Sequence, residues 1–238
     1  QVFNIQFQDR NNTLQYVHQT SFGVSTRLIG SVIMAHGDDN GLNLPPRLAP
    51  IQVIIVPIQQ NKLGVMPKAL ELLKRLKAIG VRARVDDSDK SPGWKFSEYE
   101  MKGVPLRLEI GPRDLKVEQI SGAIRHNHEK ISFADKNLEK EVPALLEKIH
   151  EDMYQKKLTD LLNRTIKVLT IEELEDTLNN KLGYAKMMWS GNQEDLDFIK
   201  DKYQATARCL PFNQTPFSDK CLISGKPAKY VVIVARAY

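Results

Sequence analysis

Cysteine is scarce in this sequence, and long apolar runs are absent. The 238 residues include only Cys209 and Cys221, which are too few for a disulfide framework and do not form a CxxC pair typical of metal sites. No stretch of about 18 apolar residues occurs, which excludes an ordinary membrane-spanning helix. Residues 1–10 lack the charged and apolar regions of a signal peptide. Together these absences predict a reduced, cytosolic setting and no membrane partner.

Basic residues are in modest excess. Lys and Arg number 34 against 29 Asp and Glu, which gives a net charge of +5 and a pI of about 9.1. A basic surface is compatible with a polyanionic partner such as RNA, although many basic proteins bind no nucleic acid. The 42% hydrophobic and 26% charged residues are ordinary for a globular protein.

The first part of the chain has the pattern of strands and turns. There is no initiator Met, and residues 2–8 alternate as a strand already inside a sheet, which predicts that the chain begins within a domain. A longer apolar segment, Thr20 to Met34, also predicts a strand. The prolines of residues 44–50 cannot continue a sheet, so a domain boundary is expected there.

The middle of the chain alternates between strand and helix patterns. A β-branched run over residues 51–58 is typical of a strand buried on both faces, and apolar residues at helical spacing follow, ending at Gly80. Strand, helix, strand is the opening of an α/β domain. Further elements are predicted as strands at 81–85 and 104–110, a hairpin between Ile124 and Phe133, and an amphipathic helix over 138–153.

The pattern changes beyond residue 160. Residues 170–173 have the spacing of a helix capping box, a second helix is predicted over 196–203, and residues 230–238 have the pattern of a strand. Helices and strands grouped in this way favour a small α+β domain.

Three short stretches carry unusual chemistry. Residues 19–27 place hydroxyl residues, a glycine and Arg27 on a predicted strand, where guanidinium suits phosphate; an exposed surface strand is the alternative. Residues 91–100 interleave aromatics with a lysine, and aromatic faces stack on unpaired bases; the alternative is a helix start whose aromatics pack into the core. Residues 111–114 form a turn with Arg and Asp directly after the strand that carries Arg107, a plausible ligand surface.

Taken together, these stretches resemble one family. QTSFGVSTRLIG (19–30) resembles the motif 3 region of class II prolyl-tRNA synthetases, and SPGWKFSEYEMKGVPLRLEIGPRDL (91–115) resembles their anticodon-binding segment. KPAKYVVIVARAY (226–238) is similar to the C-terminus of the eukaryote-like and archaeal-like branch. The resemblance covers the whole chain. It implies the end of a class II catalytic antiparallel sheet (1–46), an α/β anticodon-binding domain (47–157) and a small α+β C-terminal domain (158–238).

The resemblance also implies roles for individual residues. In the motif 3 region, Arg27 matches an arginine that holds ATP phosphate and is the candidate catalytic residue. The expected ATP and proline ligands are Thr20, Ser21, Phe22, Gly23, Ser25, Thr26, Arg27 and His36. The expected contacts to the two guanines of a proline anticodon are Phe96, Glu100, Arg107, Arg113, Asp114 and Lys130. Arginine can bind guanine O6 and N7, carboxylate can accept from N1 and N2, and phenylalanine can stack.

The chain departs from the family pattern in two respects. Class II motifs 1 and 2 are absent, so this chain alone is not expected to form prolyl-adenylate. The four zinc-ligand cysteines of many relatives correspond here to Ser190, Asp195, Cys221 and Ile223, so no structural zinc is expected. Packing around Trp189, Phe198 and the final strand is then expected to stabilise that domain, and Tyr238 either reaches the active site or is buried at a sheet edge.

For the intact protein the resemblance implies proline activation with ATP and Mg²⁺, transfer to tRNA(Pro), and a cytoplasmic homodimer. Two alternatives stay open at this point. One is a non-catalytic RNA-binding protein derived from a synthetase tail, and the other is a sister synthetase for another amino acid.

Overall fold

The computed structural model describes residues 3–236 and divides the chain into two compact units, one through Leu146 and one from Glu147. The division falls within a single helix, α5 (Leu138–Arg164). Across residues 3–236, no helix is both long and apolar enough to cross a bilayer. Tyr238, for which a role was expected, lies outside the described residues.

The first unit begins with a hairpin and a helix. β1 (Gln6–Gln8) and β2 (Leu14–Tyr16) pair antiparallel, and α1 (Arg27–His36) follows. The predicted strand from Thr20 to Met34 is therefore wrong, because its second half is helical. The β-branched residues suggested a strand, but Leu28 and Val32, like Ile29 and Ile33, are spaced four apart, as on a helix face.

A five-stranded mixed sheet forms the centre of the first unit, in the order β4-β3-β5-β6-β7. β3 runs parallel to β4 and β5, whereas β5, β6 and β7 are mutually antiparallel. This topology confirms the predicted α/β domain. The strands are β3 (Val53–Pro57), β4 (Ala83–Val85), β5 (Leu106–Ile110), β6 (Gln119–Ile124) and β7 (Lys130–Ala134), and the remaining helices are α2 (Val65–Ala78), α3 (Pro92–Met101) and α4 (Pro112–Val117).

Helix α3 is fixed on one side of this sheet. It begins where the Ser91 hydroxyl accepts a hydrogen bond from the Trp94 N–H, and Pro92 occupies the first turn, where no backbone donor is needed. Tyr99 of α3 packs with Ile54 and Val56 of β3, which point to the same face because alternate strand residues do. This packing sets the position of every α3 side chain along the sheet.

The second unit is a four-stranded sheet with two helices, which confirms the predicted small α+β domain. Its strand order is β10-β11-β9-β8, so the final strand lies inside the sheet rather than at its edge. The capping box at Thr170 and Glu173 is present as predicted. The elements are β8 (Thr165–Lys167), α6 (Ile171–Asn179), β9 (Tyr184–Trp189), α7 (Gln193–Tyr203), β10 (Ala205–Cys209) and β11 (Tyr230–Arg236).

The core of the second unit differs from the expectation in one residue. Trp189 packs against the buried cluster, and Val232 and Val234 of β11 lie within it, as expected. Phe198, however, is exposed. Ile199 and Tyr203, four residues apart on α7, face the sheet, and this helical phase turns Phe198 outward.

Candidate nucleic-acid interface

One face of the five-stranded sheet carries polar side chains in two rows. In the first row Arg107, Ala123 and Lys130 lie opposite one another across β5, β6 and β7; in the second, Glu109 lies opposite Ser121, which lies opposite Ser132. Directly paired residues point to the same face of a sheet. Lys130 and Ser132 are exposed, so the β7 side of this face is open to solvent.

A groove of about 200 Å³ lies where α3 ends beside this face, and we refer to it as the α3 groove. It brings together three of the predicted anticodon-binding residues, Glu100, Arg107 and Lys130. Its other lining residues are Ile54, Tyr99, Val104, Ala123, Ile124, Arg125 and His128. Cations and a carboxylate thus share a small concave site with an apolar floor, a combination suited to an unpaired base.

Arg107 is held in place before any ligand arrives. Its guanidinium carbon lies 3.8 Å from the centroid of the Phe96 ring. Its Nη1 donates to Glu100 at 3.1 Å, and its Nε donates to Glu109 at 2.9 Å. Arg107 is only 15% exposed, yet it lines the groove. Among the described residues Nη2 has no partner, so this nitrogen can donate to a base edge.

Phe96 lies directly beside Arg107. Its ring packs against the buried cluster that includes Tyr99 and Ile54. The Arg107 guanidinium covers one face of the ring, so that face cannot stack on a base. Its direct effect is on Arg107, which it orients by cation–π stacking.

Arg113 and Asp114 are not brought into the α3 groove. Asp114 accepts hydrogen bonds from the Gly111 N–H and the Ser121 hydroxyl, both at 2.9 Å, and so caps the start of α4 and ties it to β6. Arg113, one residue earlier, is exposed. A ligand in the groove would reach these residues only by extending along β5 toward its C-terminal end.

Sequence reasoning missed two residues that line the groove, Arg125 and His128, and one that holds Arg107 from beside it, Glu109. The signal for Glu109 was available, since residues two apart on a strand share a face and Arg107 was already a candidate. His128 sits in the turn between β6 and β7 with a positive φ of 58°, a conformation in which histidine is enriched. Arg125 is buried, which no local pattern in the sequence indicates.

The motif 3 residues lie apart from this groove. Thr20, Ser21, Phe22, Gly23, Ser25 and Thr26 form an exposed irregular segment, and Arg27 begins α1 with its side chain exposed. His36 ends α1 and is half-buried. Within the described residues the side chains of residues 20–27 therefore face solvent.

In the second unit, three of the four positions that were expected to correspond to zinc ligands do meet. Asp195 is buried and accepts hydrogen bonds from the Ser190 hydroxyl and, at 3.2 Å, from the Cys221 thiol. Burial raises the pKa of Asp195, but these hydrogen bonds outweigh it and the pKa ends below its usual value. Ile223, the fourth position, packs against the apolar cluster. The prediction that no zinc binds here stays a prediction.

Comparisons with known proteins agree with this architecture. The family model described as "Anticodon binding domain" matches residues 52–145, and the one described as "Prolyl-tRNA synthetase, C-terminal" matches residues 171–238. The first match contains the whole α3 groove.

Curated relatives match almost the entire chain. Proteins named proline–tRNA ligase from Lachnospira eligens, Ruminiclostridium cellulolyticum and Clostridium novyi are 49%, 50% and 48% identical over 236 residues, which is 99% of this chain. The chain spans 49% of the length of each of these relatives. These matches do not favour the alternative of a non-catalytic RNA-binding protein. The chain belongs to the prolyl-tRNA synthetase family and corresponds to a C-terminal portion of its members.

Proposed function

We propose that this chain is the tRNA-recognising part of a proline–tRNA ligase and that the α3 groove binds the anticodon guanines of tRNA(Pro). The observation that carries the proposal is the convergence of Glu100, Arg107 and Lys130 on one groove of an anticodon-binding domain. Guanine presents acceptors at O6 and N7 and donors at N1 and N2, which complement cationic and carboxylate side chains respectively.

The roles within the groove follow from the contacts. Glu100 uses Oε1 to accept from Arg107, which leaves Oε2 for the N1 and N2 donors of a guanine. Lys130, which makes no ion pair within the described part of the chain, supplies a cation for O6, N7 or phosphate. Arg113, exposed beyond the end of β5, is proposed to contact the second guanine or its phosphate.

The proposal extends to the whole protein. The intact enzyme is proposed to be a cytoplasmic homodimer that activates proline with ATP and Mg²⁺ and transfers it to tRNA. The parts proposed within this chain are residues 1–46 from the catalytic domain, 47–157 for anticodon binding and 158–238 as a C-terminal domain without zinc. The ATP and proline site of the intact enzyme is proposed to include Thr20, Ser21, Phe22, Gly23, Ser25, Thr26, Arg27 and His36.

Binding of the chain to a tRNA(Pro) transcript tests the proposal. Changing either anticodon guanine is expected to weaken binding by about 1–3 kcal/mol, the usual cost of a lost base contact. Lys130→Ala is expected to weaken binding of the unchanged transcript, whereas Lys74→Ala on α2, which contributes nothing to the groove, is its matched control. Equal affinity for every anticodon would overturn the proposal.

A further inference from the structure

A single buried side chain joins the α3 groove to the segment that follows α1. Arg125 lies directly after β6 and donates through Nε to the backbone carbonyl of Glu100 at 2.9 Å. Its Nη1 and Nη2 donate to the two carboxylate oxygens of Asp38, at 2.8 and 2.6 Å. Asp38 comes two residues after the last residue of α1, His36. One guanidinium therefore contacts both a groove residue and the chain leaving the motif 3 helix.

Backbone contacts reinforce this connection. The amide of Leu42 donates to the Met101 carbonyl at 2.9 Å, and the amide of Leu44 donates to Gly103 at 3.3 Å. The two chains approach so closely that a Cβ on Gly103, whose φ is +69°, would lie 2.6 Å from the Leu42 Cβ. Residues 38–44 and the C-terminal turn of α3 are thus one packed element, and we refer to residues 38–44 as the clasp loop.

The ion pair is costly to break. The Arg125 side chain is 1% exposed and that of Asp38 is 37% exposed. Removing Asp38 would leave a buried guanidinium without its carboxylate, an expensive arrangement. The hydrogen bonds from Arg125 lower the pKa of Asp38 to about 2, so Asp38 stays ionised at neutral pH. The ion pair therefore does not depend on a protonation change near neutral pH.

We propose that Arg125 and Asp38 are positioning residues that couple occupancy of the α3 groove to the clasp loop and, through it, to the C-terminal end of α1. This inference rests on the proposed function, because it takes RNA as the ligand of the groove. An RNA base that contacts the Glu100 side chain restrains the C-terminal turn of α3. Arg125 donates to the backbone carbonyl of Glu100 in this same turn. Arg125 transmits this restraint to Asp38, and by linkage the position of the clasp loop must affect RNA affinity equally.

Hydrogen exchange of the 238-residue chain tests the coupling directly. An RNA stem-loop with a proline anticodon is expected to slow exchange of the Leu42 and Leu44 amides at least about fivefold, the lower end of typical coupling factors. In Asp38→Asn the amide oxygen can still accept one hydrogen bond from Arg125, but the charge and the second acceptor are lost, and the RNA-dependent slowing is expected to be lost with them. Asp38→Glu restores the charge and is expected to restore the response. Asp39→Asn, at an adjacent exposed carboxylate, is the matched control.

A kinetic readout separates coupling from simple loss of stability. In the full-length protein the ratio of kcat for cognate tRNA to kcat for an anticodon variant is expected to fall in Asp38→Asn and to be unchanged in Asp39→Asn. If the parent chain fails to discriminate anticodons at all, the proposed function is wrong. If it discriminates but its clasp-loop amides ignore RNA, or if Asp38→Asn behaves like the parent in both assays, only the coupling is wrong.

Discussion

The proposed contact between the Glu100 carboxylate and the N1 and N2 edge of a guanine can be tested by changing single atoms. Glu100 lines the α3 groove with its side chain 34% exposed, and among residues 3–236 only its Oε1 accepts a hydrogen bond. Glu100→Gln keeps an acceptor for Arg107 but presents an amide donor to the guanine donors. We expect the Kd for the proline anticodon stem-loop to rise by about 5- to 150-fold, which corresponds to the 1–3 kcal/mol of a base contact.

A double-mutant cycle assigns that loss to the correct atoms. Inosine lacks the N2 amino group of guanine, so replacing the recognised guanine with inosine should weaken binding to the parent chain. The same replacement should cost much less in Glu100→Gln, because the partner of N2 is already lost. The measurement is a fluorescence-anisotropy titration of labelled stem-loops at one fixed salt concentration, since the phosphate contribution varies with salt.

Glu100→Gln could also weaken binding indirectly, because Glu100 is an ion-pair partner of Arg107 and its loss could displace the Arg107 guanidinium. Glu109→Gln separates the two effects, since Glu109 also accepts from Arg107, at 2.9 Å, but does not line the groove. If inosine costs the same in the parent and in Glu100→Gln, or if Glu109→Gln reproduces the whole loss, Glu100 does not contact the guanine and the reasoning fails.

Three further predictions concern stability. Arg75 lowers the pKa of Glu139 to about 2, so this carboxylate stabilises the fold fully above about pH 4.5, and the contribution is lost as the pH falls toward 2. In urea titrations the free energy of unfolding of Glu139→Gln should therefore depend less on pH in this range than that of the parent. An unchanged pH dependence would contradict this. Asp195→Ala should lower the free energy of unfolding by about 1–3 kcal/mol, because a buried hydroxyl and thiol lose their acceptor; EDTA should leave the Tm of the parent unchanged, and a drop would reveal a bound metal. Asp114→Ala should cost about 1 kcal/mol in chemical denaturation by removing the cap of α4, and no loss would mean that the cap is unimportant.

The sequence predicted the central sheet well because burial dominates there. All five residues of β3 are buried, so its β-branched run has only one reasonable interpretation. α1 was assigned wrongly for the opposite reason. None of its residues is buried in this structure, and its β-branched residues favoured a strand although Leu28 and Val32 have the spacing of a helix face.

The candidate site was predictable only in part. Glu100, Arg107 and Lys130 were identified from a resemblance, and the groove that joins them depends on strand pairing, which places Lys130 in one row with Arg107. The link from Arg125 to Asp38 joins residues 87 positions apart, and no periodicity or spacing connects them. The sequence also cannot show that a guanidinium covers one side of the Phe96 ring, which leaves the other side for the predicted stacking on a base.

That covered ring has a consequence for the thermodynamics of recognition. The aromatic surface and the two flanking carboxylates immobilise Arg107 when the protein folds, so the rotamer entropy of this long side chain is already lost before RNA is met. Ordering a flexible side chain during association would cost about 0.5–1.5 kcal/mol, and here that cost falls on folding instead. Lysine could not take over this position, because an ammonium group lacks the planar fork that allows one cation to stack and to bind two carboxylates at once.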